Sequence, residues 1–132
     1  MSCDVTKFTI SKGSDNTFIF TIKQDNSTLP LTIENTDTFS AKLILLSDNS
    51  VVHTYPITTP TTGSSDALNG KITLIIPSAD TYGVGSGTDS LVRDVGSKVD
   101  RYYARPTYKL IIECSTVNNG DFIAKVDEVY VD

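Results

Sequence analysis

The chain contains no tryptophan, one histidine and two cysteines in 132 residues. Each shortage removes a class of protein. His53 is the lone histidine, and no cysteine or serine motif stands near it to form the nucleophile and base pair that works near neutral pH, so no enzyme is expected. One histidine with the distant Cys3 and Cys114 does not make a closed tetrahedral ligand set, so neither a zinc site nor another cofactor is expected. Two cysteines are no disulfide framework: Cys3 at the N-terminus and Cys114 on the apolar face of an expected strand read as free, inert thiols. No apolar run approaches the ~20 residues of a membrane span. The opening Met1-Ser2-Cys3-Asp4 lacks a basic segment followed by an apolar run, so the expectation is a soluble chain made in a cytoplasm with no membrane partner. Cations are also scarce, 11 Lys and Arg against 16 Asp and Glu, and a net charge of -5 argues against nucleic acid as the main partner.

What is present is alternation. Phe8 and Ile10 alternate with polar neighbours over Lys7 to Ser11, and Phe18, Phe20 and Ile22 do so over Thr17 to Lys23, after a turn-rich break. Leu31 to Ile33, behind Pro30, reads as a short edge segment. Thr38 to Ser47 carries Phe39, Ala41, Leu43 and Leu45 on one face and turns through Asp48-Asn49-Ser50 into Val51 to Ile57, which places His53 in mid-strand with Val51 and Tyr55. Thr58 to Asn69 has the composition of a loop, and Lys71 to Pro77 alternates Ile72, Leu74 and Ile76 with Thr73 and Ile75. The clearest signal is the end, Tyr108 to Val131, a β-hairpin around Asn118-Asn119-Gly120. A three-residue loop there sets Cys114 opposite Ala124, Ile112 opposite Val126, Tyr108 opposite Tyr130 and Glu113 opposite Lys125, leaving one face apolar except at Glu128. These runs imply one domain over residues 1–132, an all-β, antiparallel, immunoglobulin-like β-sandwich of about seven strands.

Between Pro77 and Thr107 lies a connection far longer than the usual ~4 to 6 residues. Within this insertion Asp89 is placed to cap a short helix carrying Leu91, Val92 and Val95, with Gly96 as its stop. Gly83, Gly85 and Gly87 lack the lysine and the βαβ context of a phosphate loop and read as a flexible loop. Asp121, Asp127 and Glu128 lack the ligand spacing of a calcium loop and read as surface carboxylates. The segment's distinctive content is basic and aromatic: Arg93, Lys98, Arg101, Arg105 and Lys109 interleave with Tyr102, Tyr103 and Tyr108. Arginine and tyrosine are enriched in interface hot spots, so Arg93, Arg101, Tyr102, Tyr103 and Arg105 are the candidate partner interface. Tyr55, Tyr82, Tyr102 and Tyr103 alternatively suggest the aromatic platform of a carbohydrate-binding module, although tryptophan is lacking.

The order of features, Phe8-Thr9-Ile10, Gly13-Ser14-Asp15, Phe18 to Ile22, Phe39 to Leu46, Asp48-Asn49, Gly70-Lys71-Ile72 to Ile76, Tyr108 to Ile112 and Asn119-Gly120, resembles the immunoglobulin-like N-terminal domain of bacteriophage baseplate upper proteins and related virion modules. It departs from that pattern in the Ser78 to Arg105 insertion and in having no fibre or receptor-binding module after Val131. The resemblance carries no functional residue across. It implies a non-enzymatic virion structural protein, synthesised in the bacterial host cytoplasm and present in multiple copies in the particle. An auxiliary or decoration protein docking on the major capsid protein comes first, and a tail or baseplate adaptor second.

Overall fold

The computed structural model describes residues 1–11, 13–25, 27–81, 95–98, 101–104 and 108–131, with 95–98 and 101–104 described by backbone alone. The described strands are β1 (Ser2–Cys3), β2 (Lys7–Ile10), β3 (Asn16–Lys23), β4 (Thr38–Leu45), β5 (Val51–Ile57), β6 (Lys71–Ile76), β7 (Val95–Lys98), β8 (Arg101–Ala104), β9 (Tyr108–Thr116) and β10 (Gly120–Val131). Two single-turn helices, α1 (Ser65–Leu68) and α2 (Ser78–Thr81), complete the described elements. The architecture is therefore mostly β.

A five-stranded sheet runs in the order β2-β10-β9-β4-β5, a three-stranded sheet in the order β1-β3-β6, and β7 pairs with β8. The alternation explains the layering. Phe20 and Ile22 of β3 and Ile72, Leu74 and Ile76 of β6 join Phe39, Ala41 and Leu43 of β4 and Leu110, Ile112 and Cys114 of β9 in one buried cluster. Burying each large side chain contributes roughly 1.5 to 3 kcal/mol. Leu31 and Ile33 are also fully within this core. They form no edge strand; instead the Leu31 N–H donates to the Ile22 carbonyl and the Ile33 N–H to that of Ala67, so a connection plugs the core.

Four further expectations are corrected. The ladder is not wholly antiparallel: β2 runs parallel to the end of β10, with Phe8 opposite Val129 and Ile10 opposite Val131. The run expected to be loop contains α1, whose N-cap Ser64 accepts the Ala67 N–H. Of the helix expected in the insertion, Asp89, Leu91 and Val92 lie outside the described residues, whereas Val95 and Gly96 begin the strand β7. The described strands also number ten rather than about seven, counting the two-residue β1 and the β7–β8 ribbon.

The last hairpin keeps its faces but shifts its partners by two residues. Thr116 pairs with Gly120, Cys114 with Phe122, Ile112 with Ala124 and Glu113 with Ile123. The cause is local. The Thr116 hydroxyl accepts the Asn119 N–H and donates to the Gly120 carbonyl, closing the loop one residue early, while the Asp37 carboxylate takes the Val117 N–H. Farther along, a bulge between Val126 and Val129 resets the alternation, so Val129 and Val131 turn inward. Glu128, the one polar residue on the expected apolar face, is left half-exposed, and Tyr108 meets Val129 rather than Tyr130.

Candidate functional site

The outward face of the large sheet carries a groove of about 620 Å³. Its position follows from register: the row Thr38, Ser115, Asp121 and the row Ser40, Glu113, Ile123 flank the inward row Phe39, Cys114, Phe122. The Ser115 hydroxyl donates to Asp121 at 2.7 Å, and Glu113 pairs with Lys42 of β4, not with Lys125 as the expected register had it. Ile123 adds a half-exposed apolar patch. The groove thus offers hydroxyls, two carboxylates already engaged and one aliphatic side chain, a surface suited to contact. The Cys114 side chain is buried in the core, and burial pushes its thiol up to about 12, far from a reactive thiolate at neutral pH.

A second polar cluster joins β5 to α2. The His53 ring stacks on Tyr55 with centroids 4.6 Å apart, and its Nε2 lies 3.4 Å from an Asp80 oxygen. The Tyr55 hydroxyl is buried without a hydrogen-bond partner among the described residues. Burial first, then the Asp80 carboxylate and Tyr108, raise its pKa above the ordinary phenol range. A bulge between Leu43 and Ile44 leaves Val51 half-exposed, so it does not follow Tyr55 into the core. Nearby, Thr81 is fully buried, accepting the Gly13 N–H and donating to the Ser78 carbonyl, while Asp15 accepts the Ser78 N–H. These bonds clamp the chain entering the long connection onto the β2–β3 turn.

Of the candidate interface, Arg93 and Arg105 lie outside the described residues. Arg101, Tyr102 and Tyr103 lie on β8, whose backbone pairs Lys98 with Arg101, Ser97 with Tyr102 and Gly96 with Tyr103. Tyr108, which the sequence interleaves with these basic residues, is buried in the core. The aromatic platform loses Tyr55, only 3% exposed, while Tyr82 lies outside the described residues along with Gly83, Gly85 and Gly87. Among the described residues no group of three or more histidine, cysteine or carboxylate side chains is placed to hold a metal ion. Among the described residues no helix is long and apolar enough to cross a membrane.

Sequence reasoning missed Asp37. It is 2% exposed, and its carboxylate accepts the Glu34 and Val117 N–H groups while its carbonyl accepts the Thr59 hydroxyl. A lone aspartate before a strand carries no local signal of a partner at residue 117. In comparison with known families and curated proteins, the chain matches no family model and no curated protein.

Proposed function

We propose that this chain is an immunoglobulin-like docking protein of a bacteriophage virion, most simply an auxiliary or decoration protein on the capsid lattice, acting by non-covalent contact. The observation that carries the reading is the strand order. The sheet order β2-β10-β9-β4-β5, with β2 parallel to β10, and the order β1-β3-β6 support the immunoglobulin-like part of the reading, in which they stand for A′, G, F, C and C′ and for A, B and E of a variable-type domain. In that scheme the connection between the E and F equivalents holds the β7–β8 ribbon. A rigid two-sheet scaffold presenting an elaborated connection is the usual architecture of a recognition module. The Arg and Tyr content of that connection supplies the chemistry of an interface hot spot.

The experiment is incorporation. Arg101→Glu combined with Arg105→Glu is expected to abolish assembly of the protein into particles, while the isolated domain keeps its circular dichroism spectrum and unfolding midpoint. Normal incorporation of a folded double variant overturns the reading.

A further inference from the structure

Asn69 and Asn119 are the asparagines followed directly by glycine. In such a pair the glycine has no side chain to hinder its backbone nitrogen, which can reach the asparagine side-chain carbonyl carbon and close a cyclic imide. The fold treats the two sites differently. Asn69 ends α1, and its side-chain amide donates to the Ser65 carbonyl at 2.7 Å and to the Ser65 hydroxyl at 3.4 Å. Gly70 is buried; its N–H donates to the Ala67 carbonyl, its carbonyl accepts the Ile22 N–H, and the Ile22 and Leu31 backbones fill the space where a Cβ would stand. That pair is held on both sides. Asn119 and Gly120, by contrast, are exposed at the tip of the β9–β10 hairpin. Among the described residues the Asn119 side chain has no hydrogen-bond partner, and a Cβ on Gly120 would meet nothing within 4 Å. Gly120 pairs with Thr116 on the last rung of the ladder, where local opening costs least. The remaining restraint is the Thr116 hydroxyl, which accepts the Asn119 N–H at 3.1 Å and donates to the Gly120 carbonyl at 3.0 Å. One side chain therefore holds the peptide groups on both sides of the Asn119–Gly120 bond.

We propose that Asn119 is a self-modifying site, converted without any enzyme to aspartate and isoaspartate at a rate restrained by Thr116, while the fold protects Asn69. When the last rung opens, the Gly120 nitrogen attacks the Asn119 side-chain carbonyl carbon. A carbon–nitrogen bond forms there, the bond from that carbon to the side-chain nitrogen breaks, and ammonia leaves with the proton that the Gly120 nitrogen gave up. Water then opens the imide at either carbonyl. Opening at the side-chain carbonyl gives aspartate, and opening at the backbone carbonyl gives isoaspartate, in which the main chain runs through the former side chain. One water is consumed and one ammonia released, with no change of oxidation state. The attacking nitrogen must lose its proton, so the conversion accelerates as pH rises. Its product is a new carboxylate at the hairpin tip, two residues from Asp121 of the groove. This inference stands independently of the docking function.

The test ages the whole purified chain in mildly alkaline buffer and follows intact mass, peptide maps and enzymatic methylation of isoaspartate. The expected product is heavier by the exchange of an amino group for a hydroxyl, and the change maps to Asn119 as a mixture of aspartate and isoaspartate, with Asn69 intact. In the urea-unfolded chain both asparagines are expected to react. Thr116→Val, shown to be folded by circular dichroism, is expected to convert several times faster at Asn119, whereas Thr116→Ser, which keeps a hydroxyl, retains the original rate. The proposal is overturned if the folded chain converts Asn69 as fast as Asn119, or if Asn119 stays intact there while the unfolded chain reacts. It is equally overturned if folded Thr116→Val converts no faster than the unsubstituted protein.

Discussion

Gly70 and Gly120 both hold the left-handed backbone conformation, with φ of 64° and 68°, yet their surroundings differ. A Cβ on Gly120 meets nothing within 4 Å, whereas one on Gly70 lies 2.6 Å from the Ile22 carbonyl oxygen and 2.8 Å from that of Leu31. The left-handed conformation alone costs an alanine ~1 to 2 kcal/mol, and at Gly70 the crowded atoms are backbone, which has little freedom to retreat. Gly120→Ala is therefore expected to lower unfolding free energy by about 1 kcal/mol. Gly70→Ala is expected to lower it by roughly 3 kcal/mol or more, the overpacking cost being added. Chemical denaturation of both variants checks the ordering; equal losses would show that the Ile22 and Leu31 backbones yield easily. The Gly120 turn was legible from Asn119-Gly120. The tight contact at Gly70 was not, because its walls come from residues nearly forty or more positions away.

At the scale of elements, short-range alternation was a dependable guide and pairing was not. The spans of β2, β5 and β6 and the inward faces of β3 and β6 follow from period-two patterning alone. The partners across β9 and β10 do not, since a shift of two residues leaves every side chain on its own face. Asp37 takes part in that choice by holding the Val117 N–H from across the molecule. Asp37→Ala removes the acceptor of two backbone N–H groups, at Glu34 and Val117, in a part-buried site. Since water reaches these donors in part, the expected loss is about 1 to 2 kcal/mol in all, at the low end of the cost of unpaired buried donors, accompanied by faster amide exchange at Val117. Unchanged exchange at that amide would remove Asp37 as the determinant of the turn. The bulge near Glu128 shows the same logic: a carboxylate on a buried face is relieved by local backbone irregularity rather than by a buried partner.

For the whole molecule, buried acids that stay protonated give stability a pH dependence of definite sign. Cys3 and Cys114 ionise near 9.0 when unfolded and near 12 when folded, and the Tyr55 hydroxyl is raised as well, in each case chiefly by burial. Above pH 9.0 the unfolded chain releases these protons first, so stability is full below that pH and falls as pH climbs towards 12. Urea midpoints measured across this window should decline in the reduced protein and decline less steeply in the Cys3→Ser, Cys114→Ser double variant. Equal slopes would show that the thiols do not carry the effect. The sequence by itself determined the β class, most strand positions, the inward faces and the absence of histidine partners for His53, since these depend on composition and on neighbours a few residues apart. Only the tertiary structure decided the parallel β2–β10 pair, the plugging of the core by Leu31 and Ile33, and the burial of Tyr55 and Tyr108. Those features bring together residues far apart in the chain, where hydrogen bonding and packing choose among registers that alternation leaves equivalent.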